Sequence, residues 1–206
     1  FRYVDWNIYS RLDRMLLKLF VEEEDLCVHL LVDGSASMRF GQPPKLDYAL
    51  KVAAALGYIG LNNLERVALA HFAGGIARML RPRRGRGQIL PLLDYLATVQ
   101  AEGPTNLNGC LADYALRVQV PGVVVVLTDL LDPGGYADGL KALLRRRYEV
   151  FLLHLVSEEE LNPPLRGDLT LLDAEGGASR EVSVDRHALE RYQQRLQGHF
   201  AEAERF

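Results

Sequence analysis

Residues 30–38 read LLVDGSASM, three apolar residues followed by a carboxylate, a glycine and two hydroxyls within five positions. The run from residue 26 to residue 32 is apolar apart from His29, the character of a strand buried on both faces. Asp33 then stands where such a strand meets its loop. Taken alone it could be a nucleophile, a metal ligand or a helix cap.

Working outward, similar runs recur at residues 67–73, 123–127 and 150–156, separated by longer segments with the period of a helix. Residues 76–80 follow so closely on Gly74 and Gly75 that they are expected to pair back as an antiparallel hairpin strand. Leu46, Ala49, Leu50, Ala53, Leu56 and Gly57 fall on one helical face, with small residues that let a helix sit close on a sheet. Further helices are predicted over 89–99, 107–118 and 136–147. Thr105 or Asn106 is the cap of the second of these, and Asp185 caps a long C-terminal amphipathic helix. This alternation predicts an α/β domain. Its sheet is open and mostly parallel, with about six core strands, one of them an antiparallel edge strand, and helices on both faces. Residues 26–206 are expected to form it, including a hairpin at 169–173 and 180–184. Residues 1–25 are expected to be an N-terminal extension, a remnant of a longer region, with an irregular or helical piece around Trp6 and Tyr9 and an extended piece at 15–21.

Composition narrows the function less. The chain has 206 residues, 49% hydrophobic and 25% charged, with a net charge of −3, so nothing global points to nucleic acid or membrane. No apolar run reaches the roughly 18 residues of a membrane span, and no membrane insertion by this segment is expected. The two cysteines, Cys27 and Cys110, make no CxxC pair and predict reduced thiols and the cytoplasm. An anchor in a preceding region stays open.

Ligands of an open parallel sheet sit outside the carboxyl ends of its strands. Two further loops on that edge carry oxygen, GPTN at 103–106 and LTDLLD at 127–132. If the loops converge, Asp33, Ser35, Ser37, Thr105 and Asp129 form a cluster of carboxylates and hydroxyls without nitrogen or sulfur. Such hard oxygens suit Mg²⁺ or Mn²⁺ rather than Zn²⁺ or copper.

These three loops resemble the metal-ion-dependent adhesion site of von Willebrand factor type A domains, in matching order and on matching elements. The resemblance implies that Ser35, Ser37 and Thr105 contact the metal directly and that Asp33 and Asp129 act largely through water. It also implies that an open position takes a carboxylate from a protein partner. Gly103 and Pro104 stand where two glycines are usual, and Leu130 where one glycine is usual. YVDWNIYSR, the acidic EEED, SASM and SEEELNPPLRGDLTLLDAEGG are similar to the bacterial domain-of-unknown-function fifty-eight family over essentially the whole chain. That resemblance implies an adaptor or co-chaperone role beside a MoxR-type AAA+ ATPase, and the chain is expected not to be an enzyme.

The rival reading is a metal-dependent hydrolase or phosphotransferase using the same site. A haloacid-dehalogenase-type enzyme would need a second aspartate where Ser35 stands, and neither G-x-S-x-G, G-x-x-x-x-G-K-[ST] nor G-x-G-x-x-G occurs. His29, His71 and His154 interrupt apolar strands and are expected to be satisfied core histidines rather than ligands. RPRRGRG at 81–87 is expected to be a solvated loop or a contact for an acidic partner, not a nucleic-acid site.

Overall fold

The structure, a computed structural model, describes residues 26–205. The expected extension at residues 1–25 lies outside them. Four strands run parallel: β1 (Cys27–Asp33), β2 (Arg66–Phe72), β4 (Val123–Thr128) and β5 (Glu149–His154). β3 (Ile76–Arg84) pairs antiparallel with β2. The order across the sheet is β3-β2-β1-β4-β5. The expected open, mostly parallel α/β sheet with one antiparallel edge strand is therefore what the chain forms.

The period of two along each strand divides the core. Leu30 and Val32 of β1, with Val125 and Leu127 of β4, face α1 (Lys45–Asn62) and α2 (Ile89–Leu96) through Ala49, Ala53, Leu92, Tyr95 and Leu96. Leu31, Val124 and Val126 face the other way, toward α3 (Leu107–Arg117) and α4 (Ala137–Arg145), through Leu107, Leu111, Tyr114, Leu140 and Leu143. At Gly57 of α1 an added Cβ would stand 2.8 Å from Leu92 Cδ1. The absent side chain is what lets α1 and α2 close on each other.

Three expectations need correction. The sheet has five strands among the described residues, not about six. β6 (Gly167–Leu172) and β7 (Ser179–Val184) form the expected hairpin, but as a separate two-stranded sheet. β3 continues past Leu80, so Arg81, Pro82, Arg83 and Arg84 belong to a strand and not to a loop. An edge strand tolerates Pro82 because its missing N–H can lie on the unpaired side, and the ladder shifts register between Val67 and Leu69 to accommodate it. Finally, β5 is not covered on both faces. Phe151 and Leu153 are 49% and 37% exposed, because the helices of that side pack over β1 and β2.

Beyond the sheet lie the short α5 (Glu158–Leu161) and the long α6 (Arg186–Arg205). Asp185 caps α6 as expected, accepting the Ala188 N–H at 2.7 Å. Phe200 of α6 packs edge-on against His154, with 5.2 Å between ring centres.

Candidate metal centre

β2 and β4 flank β1 on opposite sides, so the connections diverge at the carboxyl ends of β1 and β4, where a crevice forms. Asp33 is the last residue of β1, and Thr128 the last of β4. The loop after β1 is laced into its neighbours by backbone hydrogen bonds. Gly34 N–H donates to Phe72 O (2.7 Å), Glu102 N–H to Gly34 O (2.8 Å) and Ala36 N–H to Gly103 O (2.9 Å). A Cβ on Gly34 would come within 3.3 Å of Gln100 O and 3.5 Å of Phe72 O, so a glycine suits this crossing. The serine loop and the GPTN loop are thereby stitched together at the backbone.

Asp33 is fully buried. Its Oδ1 accepts the Ser35 N–H (2.9 Å) and its Oδ2 the Thr128 hydroxyl (2.6 Å). Burial pushes its pKa up to about 6; the hydrogen bonds from Thr128 and Ser35 oppose that rise, and the nearby Asp129 charge adds to it. Ser35, also buried, places its Oγ 3.0 Å from Ser37 Oγ.

Asp129 is buried beside them, and its Oδ2 accepts a hydrogen bond from Lys45 Nζ at 2.8 Å. Lys45, the first residue of α1, is only 4% exposed. Its Nζ also donates to Glu160 Oε1 at 2.5 Å. Glu160 is in turn fixed by a capping box with Ser157, accepting the Ser157 N–H at 2.8 Å through Oε2. The Asp129 Oδ1 accepts the Leu131 N–H at 3.1 Å. Leu130 has φ of 59° and is 2% exposed. It adopts the left-handed conformation that a glycine would supply at no steric cost, and sinks its side chain into the core with Leu107 and Leu140.

Thr105 lies on the stitched neighbouring loop, but its hydrogen bonds go elsewhere. Its N–H donates to Glu175 Oε2 (2.8 Å) and its hydroxyl to Glu175 Oε1 (2.5 Å). Asn106, not Thr105, caps α3, accepting the Gly109 N–H at 3.0 Å. Asp132 accepts the next free amide, Leu107 N–H, at 2.6 Å.

Each of the three strand histidines has a hydrogen-bonding partner: His29 Nδ1 with Tyr114 Oη (2.8 Å), His71 Nδ1 with Tyr95 Oη (2.9 Å) and His154 Nε2 with Asp129 O (3.0 Å). Burial holds His29 down at about 4. A hollow of about 370 Å³, lined by Leu131, Leu155, Leu196 and Phe200 among others, opens beside Asp129.

Four of the residues that shape this edge carry no local signal of the partner that they meet: Lys45, Thr128, Glu160 and Glu175. Lys45 precedes an apolar helical face and reads as a solvated first-turn cation, and Glu160 and Glu175 read as surface charges. Thr128, inside the LTD motif, stands next to Asp129, which the motif does single out.

Chemically, the candidate ligands at the edge are all oxygens, with the Lys45 ammonium and the His154 imidazole held on Asp129 behind them. Among the described residues no three His, Cys, Asp or Glu side chains converge as a metal cage, so a cation here would depend on the serine and threonine hydroxyls. This chain belongs to the DUF58 family. The family's profile, described as a protein of unknown function, matches residues 1–202. Uncharacterized proteins Rv1480 of Mycobacterium tuberculosis (strain ATCC 25618 / H37Rv) and Mb1516 of Mycobacterium bovis are each 28% identical over 190 residues. Those matches take in 89% of this chain and 59% of either relative, so the chain spans about three fifths of their length. Among solved structures, an aerotolerance-related membrane protein from Bacteroides fragilis superposes with a TM-score of 0.55 at 19% identity, covering 82% of this chain and 87% of that one. The conserved hypothetical protein BatB from Bacteroides thetaiotaomicron gives 0.53 at 17%, covering 82% and 85%. At these identities the likeness is one of fold, consistent with a von Willebrand factor A-like sheet. Among the described residues no helix is long and apolar enough to cross a membrane.

Proposed function

We propose that this chain is a Mg²⁺- or Mn²⁺-dependent protein-binding module without enzymatic activity of its own, working in the cytoplasm as an adaptor or co-chaperone to a MoxR-type AAA+ ATPase. Ser35, Ser37 and Thr105 would hold the ion by their hydroxyls, and Asp33 and Asp129 would neutralise it. A bound divalent ion supplies a Lewis-acid position for an outside carboxylate, and a protein partner would provide that carboxylate.

One observation carries the reading: the two serine hydroxyls are 3.0 Å apart, beside a buried carboxylate at the switch point. The two hydroxyls hydrogen-bond to each other at that distance, which also equals the roughly 3.0 Å between adjacent ligands of an octahedral Mg²⁺ with bonds of about 2.1 Å, so an ion would take the place of this hydrogen bond without moving the pair apart. Both oxygens of Asp33 and of Asp129 already accept hydrogen bonds, which suits carboxylates acting from outside the innermost ring. The apolar hollow beside Asp129 adds a surface that a protein partner can fill. The absence of any nucleotide motif in the sequence supports a division of labour in which the ATPase supplies the ATP chemistry. Cys27 and Cys110 are free thiols, in keeping with a reducing compartment.

The test is a thermal melt with and without Mg²⁺. A ligand at 100 times its Kd stabilises by about 2.7 kcal/mol, so the intact protein should melt several degrees higher, and Asp33→Ala, checked for folding by circular dichroism, should show no shift. No response of the intact protein to Mg²⁺ or Mn²⁺ would sink the reading. Metal-dependent turnover of generic phosphate or ester substrates, lost in Asp33→Ala, would favour the hydrolase instead.

A further inference from the structure

The β6–β7 hairpin is thinly attached to the domain. No residue of either strand is buried, and Leu172 at the end of β6 is 75% exposed. Yet its tip reaches the candidate cation site. Between 171 and 180 Glu175 alone is half-buried while its neighbours are exposed, and both its carboxylate oxygens rest on Thr105, one on the amide and one on the hydroxyl. The two residues are 70 positions apart, so this is not local turn chemistry.

The turn holds Glu175 in place for that contact. The Asp173 carboxylate accepts the Glu175 N–H (3.1 Å) and the Gly176 N–H (3.0 Å), and the Asp173 N–H closes the hairpin on Ala178 O (2.8 Å). The donors that Glu175 meets are neutral, and among the described residues no cationic side chain is hydrogen-bonded to it. Its charge therefore stands next to Thr105 with a hydroxyl and an amide in the place where a cation would be its better partner.

We infer that Glu175 is a built-in ligand of this site: the hairpin-tip carboxylate closes its Thr105 side, and the acidic side chain of a docking protein must displace it. The inference rests on the cation reading above and adds its regulation. A carboxylate tethered through a short turn acts at an effective concentration in the millimolar range or above. A free carboxylate competes poorly with it, whereas a partner that also binds the surrounding surface can win. The site would thus be selective for a partner offering more than a single acidic group.

The experiment uses Mn²⁺ and acetate as probes, on the intact chain and on the Glu175→Ala and Glu175→Gln variants. Mn²⁺ affinity is read by electron paramagnetic resonance, and access of an outside carboxylate by Mn²⁺-induced relaxation of the acetate methyl protons. Both variants should bind Mn²⁺ roughly three- to tenfold more weakly, a loss on the scale of one charged ligand. At equal Mn²⁺ occupancy both should relax acetate at least about fivefold more strongly than the intact chain, as expected when a tethered competitor is removed. Equal acetate relaxation in all three proteins with Mn²⁺ bound overturns the inference while leaving the cation reading standing. So does a Glu175→Gln variant that behaves like the intact chain, since a hydrogen-bonding staple needs no charge. If none of the three binds Mn²⁺, the cation reading falls and this inference with it.

Discussion

Two carboxylates from the C-terminal part of the chain reach the same edge of the sheet in different ways. Glu160 does so through the buried ammonium of Lys45, which it shares with Asp129. Glu175 does so directly, at the tip of an exposed hairpin. Lys45 and Asp129 are buried and Glu160 is largely covered, so removing the ammonium strands a buried carboxylate at a large cost. At Thr105 the groups are half-exposed, and water can take the place of either one. The first arrangement is built to stay; the second is built to exchange.

The most severe way to break this contrast is Lys45→Met. It leaves Asp129 and Glu160 without their shared cation and should lower stability by about 3–5 kcal/mol, measured by urea unfolding. A loss below about 1 kcal/mol would mean that the ammonium is as exchangeable as the Glu175 contact.

The next effect depends on pH. His29 is held at about 4 by burial, against 6.5 for an ordinary imidazole. The unfolded chain therefore binds the extra proton first, and this group's contribution is intact above about 6.5 and lost as pH falls toward 4. A shift of this size corresponds to about 3 kcal/mol. His29→Asn should flatten the stability profile over that window by about this amount relative to the intact chain; parallel profiles would contradict it. Because Asp33, with its raised pKa, titrates in the opposite sense over part of the same range, the comparison is made between two proteins that both retain Asp33.

Smaller effects probe the Thr105 side. Asn106→Ala removes the cap of α3 and should cost about 1 kcal/mol. Glu175→Ala should cost less than about 1 kcal/mol, since it removes hydrogen bonds that solvent can replace. A Glu175→Ala loss comparable with that of Lys45→Met would make the hairpin tip part of the permanent structure.

What was legible in the sequence follows from what is local. Val123, Val124, Val125 and Val126 announce a central strand because burial on both faces demands continuous apolarity, and LLVDGSASM shows where its neighbour ends. Asp33, Ser35 and Ser37 are readable because they sit within five positions on one turn. Phe151 and Leu153 look like core residues by the same logic and are not, since apolarity alone cannot say that β5 lies at the end of the sheet. Lys45, Glu160 and Glu175 were not legible. Their partners are 84, 115 and 70 positions away, and a lone charge carries no mark of the group that it will meet. Arg81 and Arg83 looked like loop residues because Pro82 interrupts the strand pattern, a signal that weakens at a sheet edge.

Leu130 has a consequence of its own. A leucine in the left-handed region costs roughly 1 kcal/mol or more in backbone strain, yet its side chain fills space between α3 and α4. The direction in which the neighbouring Asp129 carboxylate points is therefore anchored from below, by the volume of one side chain in the interior. Leu130→Gly would relax the backbone and free that anchor together, and Leu130→Ala would keep the strain while leaving a void. A position that itself touches no cation thus works as a set screw for the aim of the acidic loop.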